Sequence, residues 1–233
     1  MLLDRLHRPV RGVRIVRREH NDPDPSFRVQ IVPLRMLGRS DVERLKTQFQ
    51  DTPGPIVTSA LGRREQSAFL EAGFSRRESL YLLRHDLTGV PPENGPAKIR
   101  NARRADLDTV LQIDREGFDN FWVFDREAIA HARKATPNHR YVVATIDRTI
   151  VGYAITGHAN KAGYLQRLGV AAQSRQQGIG GQLITDSLHW AARAGAREVL
   201  VNTQEINETA RNVYERHGFV LDDERLTVLE WER

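Results

Sequence analysis

Apolar and polar positions alternate over Gly12-Val13-Arg14-Ile15-Val16-Arg17 and again over residues 27–33, the period of half-exposed strands. The period then lengthens. Val42, Leu45 and Phe49 share a helical face, behind a start pattern in which Ser40 caps the helix and Glu43 follows three residues later. Asp51-Thr52-Pro53-Gly54-Pro55 breaks that helix. Residues 56–60 read as a short strand, 63–72 as a helix stopped by Gly73, and 79–87 as a strand. Beyond them, 97–102 reads as a strand, and Asp106 opens a helix carrying Leu107, Val110, Leu111 and Ile113. Residues 125–134 form a second helix. Strands 141–146 and 149–156 are joined by the two-residue connection Asp147-Arg148. The apolar run Tyr164-Leu165-Gln166-Arg167-Leu168-Gly169-Val170 is a strand, 182–194 a helix, and 198–203 a strand. A helix then runs from Asn207 through Tyr214, and 219–221 and 226–231 close the chain as strands.

Thr88-Gly89-Val90-Pro91-Pro92-Glu93-Asn94-Gly95-Pro96 excludes both helix and central strand. It predicts a boundary, with one domain at 1–88, a linker at 89–96 and a second domain at 97–233. An internal echo crosses that boundary. Thr58 through Phe69 to Gly73-Phe74 matches Thr203 through Tyr214 to Gly218-Phe219 at constant spacing. In the first copy Gly62 stands for Asn207 and Phe69 for Tyr214, and no counterpart of the later glycine loop precedes it. This reads as a smaller α/β half-domain of related architecture that has lost its function.

Composition narrows the chemistry. Of 233 residues, 39% are hydrophobic and 28% charged, as in a soluble globular protein. With no cysteine, a disulfide, a cysteine zinc site and a thiol nucleophile are all excluded. The scattered His158, His189 and His217 suggest no metal site. The opening Met1-Leu2-Leu3-Asp4-Arg5-Leu6-His7-Arg8 is charged where a secretory signal needs an apolar core, and no apolar run reaches membrane-spanning length. A cytoplasmic protein with no membrane partner is expected. The net charge of +5 and the arginine-rich stretch to Arg18 reflect a solvated basic surface. No aromatic residues are interleaved there to stack on bases, so nucleic acid is not the expected partner.

The candidate chemistry lies in Arg175-Gln176-Gln177-Gly178-Ile179-Gly180-Gly181. A glycine turn entering a helix presents free backbone N–H groups at the positive end of the helix dipole. Gly178 and Gly180 allow a pyrophosphate to approach that backbone, and Gly181 eases the approach further. No Gly-Lys-Ser/Thr follows, and the glycine spacing is not that of a dinucleotide fingerprint.

With Gln166-Arg167-Leu168-Gly169-Val170 before it, and Asn207, Tyr214 and Gly218-Phe219 after it, the loop resembles the GNAT acetyltransferase superfamily. The resemblance covers residues 97–233 and is strongest over 165–219. It implies a mixed, mostly antiparallel sheet flanked by helices. The strand through Leu168 and Val170 would splay from the 198–203 strand, and the acyl-pantetheine arm of acetyl-CoA would bond to the backbone of Leu168, Gly169 and Val170. The pyrophosphate would sit on Arg175, Gln176, Gln177, Gly178, Ile179, Gly180 and Gly181. Asn207 matches a position that contacts pantetheine, and Tyr214 one used as general acid. Acetyl-CoA is then the co-substrate, no metal is needed, and the acceptor is an amine on a small molecule or a peptide N-terminus. Direct transfer in a ternary complex is then expected, because the chain has no cysteine and no serine-elbow motif to form an acyl-enzyme. The general base is open among Glu116, Asp119 and Glu205. Acetyltransferases of ribosomal-protein N-termini, which the 207–219 stretch resembles, carry glutamate where Asn202 stands here. The aromatic run from Phe118 to Phe124 lines the acceptor pocket or packs the core. The rival reading is a non-catalytic acyl-CoA sensor whose basic N-terminal segment binds a partner or nucleic acid. A homodimer is compatible with either.

Overall fold

The computed structural model describes residues 10–17 and 29–232. The basic start, the expected turn at 20–25 and the first two residues of the 27–33 strand lie outside the described residues. The chain divides into two compact units, Met1–Tyr81 with Asp223–Arg233, and Leu82–Asp222. Strands β4 (Ser75–His85) and β10 (Val220–Trp231) each contribute residues to both units.

In the first unit, β1 (Val13–Arg17) pairs antiparallel with β2 (Val29–Pro33), which pairs parallel with β3 (Ile56–Thr58). The end of β10 pairs antiparallel with β3 on its other side. Helix α1 (Arg39–Phe49) buries Val42, Leu45 and Phe49. Helix α2 (Arg63–Glu71) buries Ala68 and Phe69, and Ile31, Ile56 and Leu229 complete that core. Helix α1 starts one residue before the expected cap. Its N-cap is Gly38, and Asp41, not Ser40 or Glu43, reaches back to the Gly38 N–H at 3.4 Å. Arg35 and Arg44 both bond to the same Asp41 carboxylate, which draws it into that place.

The second unit holds β9 (Glu198–Gln204), β8 (Ala162–Val170), β7 (Thr149–Ala159), β6 (Asn138–Ile146) and β5 (Lys98–Asn101), neighbours in that order. All their pairs are antiparallel except β8 with β9. The β6–β7 hairpin turns through Asp147 and Arg148, both at positive φ, as a two-residue turn requires. Alternation along β7 assigns the faces. Tyr153 and Ile155 pack with Val110, Leu111 and Ile113 of α3 (Leu107–Gly117) and Ile129 of α4 (Arg126–Lys134). The opposite face meets α5 (Ile179–Arg193), where Thr156 donates to Ser187. Helix α6 (Glu208–Arg216) precedes β10.

Two expectations change. Helix α5 begins at Ile179, three residues early, so Gly180 and Gly181 form its first turn. The two closing strands are one, because Asp222 within the charged stretch is held by Arg84 from β4 at 2.8 Å. The proline-rich segment is also fastened along α5, inside the second unit. Gln182 bonds to both the N–H and C=O of Ala97 (3.0 and 2.6 Å), His189 to the Pro91 carbonyl (2.7 Å) and Arg193 to Glu93 (3.0 Å).

Candidate active site

Strands β8 and β9 pair over three positions only, Ala162 with Glu198, Gly163 with Val199 and Tyr164 with Leu200. Both continue beyond, β8 to Val170 and β9 to Gln204, so a gap opens between them. On its other side β8 stays paired with β7 through Val170, with a bulge at Gln166. The Ala171 N–H donates to Val151 (2.9 Å). By antiparallel alternation the backbone groups of Gly169 also face β7, whereas those of Leu168 and Val170 face the gap. A Cβ at Gly169 would stand 2.7 Å from the Tyr153 ring, so the glycine makes room for that side chain.

The gap leads to the start of α5. Gln176 and Gly178 both have positive φ, and Gly178 is the N-cap. Nothing lies within 4 Å of where a Gly178 side chain would point. Gly180 would meet only Val170 at 3.8 Å. No acidic residue occupies the first turn, and the N–H groups of Ile179, Gly180 and Gly181 precede the first intrahelical bond, from Gln182 to Gly178. Gly181 has a further reason besides the one expected. A Cβ there would strike His217 Nε2 at 2.4 Å, so this glycine also makes room for the histidine that caps the end of α6. His217 Nδ1 in turn donates to the Val213 carbonyl (2.7 Å).

Arg175 is already engaged. Its guanidinium donates to the carbonyls of Val170 (3.3 Å) and Glu116 (2.7 Å), tying the loop to the ends of β8 and α3. Gln177 donates to Gln173 (3.1 Å). The Glu116 carboxylate accepts from the Ala172 N–H (3.2 Å) and from Gln112 (3.2 Å), next to the glycine loop. Glu205 is exposed beyond the end of β9. Asp119 accepts from the Phe121 and Trp122 N–H groups and from Gln204, linking the aromatic run to that same strand end. Asn207 caps α6 through Oδ1 to the Ala210 N–H (3.0 Å), which leaves its Nδ2 without a partner among the described residues.

Tyr214 is buried on α6 against Phe219, ring centroids 5.6 Å apart. Burial pushes its hydroxyl pKa up to about 12, partly offset by the positive charge of Arg167. The phenol is therefore protonated at neutral pH, the state a proton donor needs.

The site also contains a network that sequence reasoning missed. Asp114 of α3 is fully buried and accepts both Nε and Nη2 of Arg167, each at 2.8 Å. It also accepts from the Tyr153 hydroxyl and the Phe124 N–H. The Arg167 guanidinium lies 3.3 Å from the Phe118 ring centre and 3.9 Å from that of Phe124, and donates to the Trp122 carbonyl (2.8 Å). The aromatic run thus wraps a buried cation. A signal was available: Asp114 falls on the apolar face of its helix, and Arg167 stands on a largely apolar strand.

Residues 107–219 match the Acetyltransferase (GNAT) family. The chain carries a GNAT acetyltransferase domain. Among relatives, an uncharacterized protein of Mycobacterium leprae is 33% identical over 150 residues, covering 60% of this chain and 39% of its own length. An N-alpha-acetyltransferase of Sulfurisphaera tokodaii is 29% identical over 137 residues, covering 52% of this chain and 79% of its own. Among solved structures, a tandem GNAT protein from the clavulanic acid biosynthesis pathway superposes with a TM-score of 0.67 at 14% identity. That superposition covers 91% of this chain and 76% of the other, and it shows a shared fold. The GNAT domain has the mixed, mostly antiparallel sheet expected. Among the described residues no helix is long and apolar enough to cross a membrane, and no group of three potential metal ligands is found.

Proposed function

We propose that the protein transfers an acetyl group from acetyl-CoA to an amine by direct attack in a ternary complex. The observation that carries this is the gap between β8 and β9, which ends at the acid-free first turn of α5. The gap-facing backbone of Leu168 and Val170 suits the amide-bearing pantetheine arm, which the Asn207 Nδ2 also contacts. The α5 N–H groups and the open space at Gly178 and Gly180 suit the pyrophosphate. Arg175 shapes this loop from within. The Tyr214 hydroxyl donates a proton to the departing thiolate, and a carboxylate or water chain takes one from the attacking amine. Asp119, Glu205 and Glu116 are the candidate bases. Glu116 already accepts hydrogen bonds at the glycine loop and Asp119 at the end of β9, so occupancy does not single out one of the three. The Sulfurisphaera relative's name favours a peptide N-terminus as the acceptor. The first unit is a degenerate GNAT half-domain without a catalytic role.

The deciding assay is release of CoA thiol from acetyl-CoA against amines, amino acids and N-terminal peptides, alongside thermal shift with acetyl-CoA alone. Acceptor-dependent release is expected. Thermal stabilisation without release on any acceptor would favour a non-catalytic acyl-CoA sensor, and neither signal would remove the acetyl-CoA site.

A further inference from the structure

The Asp114–Arg167 pair needs an explanation beyond stability. A buried ion pair gains little over well-packed apolar side chains of the same volume, because desolvation offsets its attraction. Its placement is informative. Arg167 lies on β8 between the bulge at Gln166 and Leu168, the first residue assigned to the gap. The guanidinium spans three parts of the GNAT domain. Its two parallel bonds to Asp114 fix its plane on α3, its faces carry the rings of Phe118 and Phe124, and its remaining Nη2 bond holds the Trp122 carbonyl. The Phe124 N–H closes the loop back onto Asp114 at 2.6 Å. The 118–124 segment is therefore organised around one cation, with Phe124 also packed against the apolar core. That segment also reaches Gln204 at the far side of the gap through Asp119 (3.3 Å).

We propose that Arg167 is a positioning residue for the amine acceptor: anchored by Asp114, it fixes the 118–124 loop against the gap and so sets where the acceptor stands relative to Tyr214. This rests on the acetyltransferase reading. Arg167 touches no reacting atom. Its fork and stacking faces do the work, which a lysine does not reproduce.

The test compares the full-length wild type with Arg167→Met/Asp114→Asn, in which neither buried charge is left unpaired, and with Arg167→Lys. Hydrogen exchange followed by mass spectrometry reads the loop without any substrate. Residues 118–124 are expected to exchange at least about tenfold faster in the double variant, with β6 and β7 unchanged. In steady state, kcat/KM for the acceptor is expected to fall by at least about tenfold, with KM for acetyl-CoA within about twofold of wild type. Arg167→Lys should show the same pattern, more weakly, and answers the question if the double variant fails to fold. Unchanged loop exchange overturns the clamp. An unchanged acceptor kcat/KM, or an equal loss toward acetyl-CoA, overturns the positioning role. A wild type that acetylates nothing removes the transfer reading and the acceptor role with it, while hydrogen exchange still decides the clamp.

Discussion

Helix α2 ends as α6 does. The Ala72 and His217 N–H groups bond to Phe69 and Tyr214 at 3.1 and 2.9 Å, and those of Phe74 and Phe219 return to the same two carbonyls at 3.0 and 3.1 Å. Gly73 and Gly218 turn the chain at φ +86° and +84°. The preceding strands match as well, since β1, β2 and β3 are connected antiparallel then parallel, like β7, β8 and β9. The chemistry differs at three places. Strand β3 is paired with β2 along its whole length, and Ser59 still donates to the Ile31 carbonyl beyond its end (2.9 Å), so no gap opens between them. Phe69, fully buried, replaces Tyr214. Asp41 occupies the first turn of α1, where α5 has Gly180 and Gly181. Burial opposes the Asp41 charge, but hydrogen bonds from Arg35 and Arg44 hold its pKa below the ordinary carboxylate value. One helix N-terminus carries its own anion, and the other carries none. The lesson is that two stretches can share a backbone frame while three local features set them apart.

On the proposed reading, giving the GNAT domain the features of the first unit should abolish acetyl transfer stepwise. Tyr214→Phe supplies the residue found at Phe69. Turnover should fall by about 100-fold or more, the lower end of general acid catalysis, with acetyl-CoA affinity held within about twofold. Its stability should respond to pH in a defined window. The buried phenol is favoured neutral, so its contribution is complete below pH 10 and is lost between 10 and about 12; the phenylalanine variant should lack that decline in alkaline denaturation. Gly180→Asp gives α5 an anion of its own, as α1 has. Calorimetry should show acetyl-CoA binding weakened by at least about tenfold, while the melting temperature holds, because an acid in a first turn stabilises the helix. Unchanged affinity would place the pyrophosphate elsewhere. The smallest effect separates two N-caps. Gly178 has φ +81° and Gly38 φ −91°, with open space around both. Gly178→Ala should cost about 1 kcal/mol more than Gly38→Ala in urea unfolding, through the left-handed backbone alone.

Much of this was legible in the sequence, for reasons that differ by residue. The strands around Val13 and Val170 announce themselves by periodicity, and Gly73 and Gly218 by their place after a helix. The demand on Gly178 is local, a positive φ at a helix cap. The demand on Gly181 is tertiary as well: only the fold brings His217 against it. Asp114 and Arg167 stand 53 residues apart and form a unit only when α3 packs on β8. The cap at Gly38 is not legible in the sequence, because the residue that closes the box, Asp41, is recruited by Arg35 and Arg44.

The gap between β8 and β9 also has a cellular consequence. It is an edge in the interior of a sheet, with strand amides facing outward where a neighbouring strand would normally sit. On the proposed reading, a pantetheine chain in the gap takes the place of the missing strand, and occupancy becomes part of folding. At a ligand concentration about 100 times the dissociation constant, such linkage stabilises a native state by about 2.7 kcal/mol. The steady-state amount of this protein should then follow the acyl-CoA supply, through resistance to degradation and without any change in its synthesis.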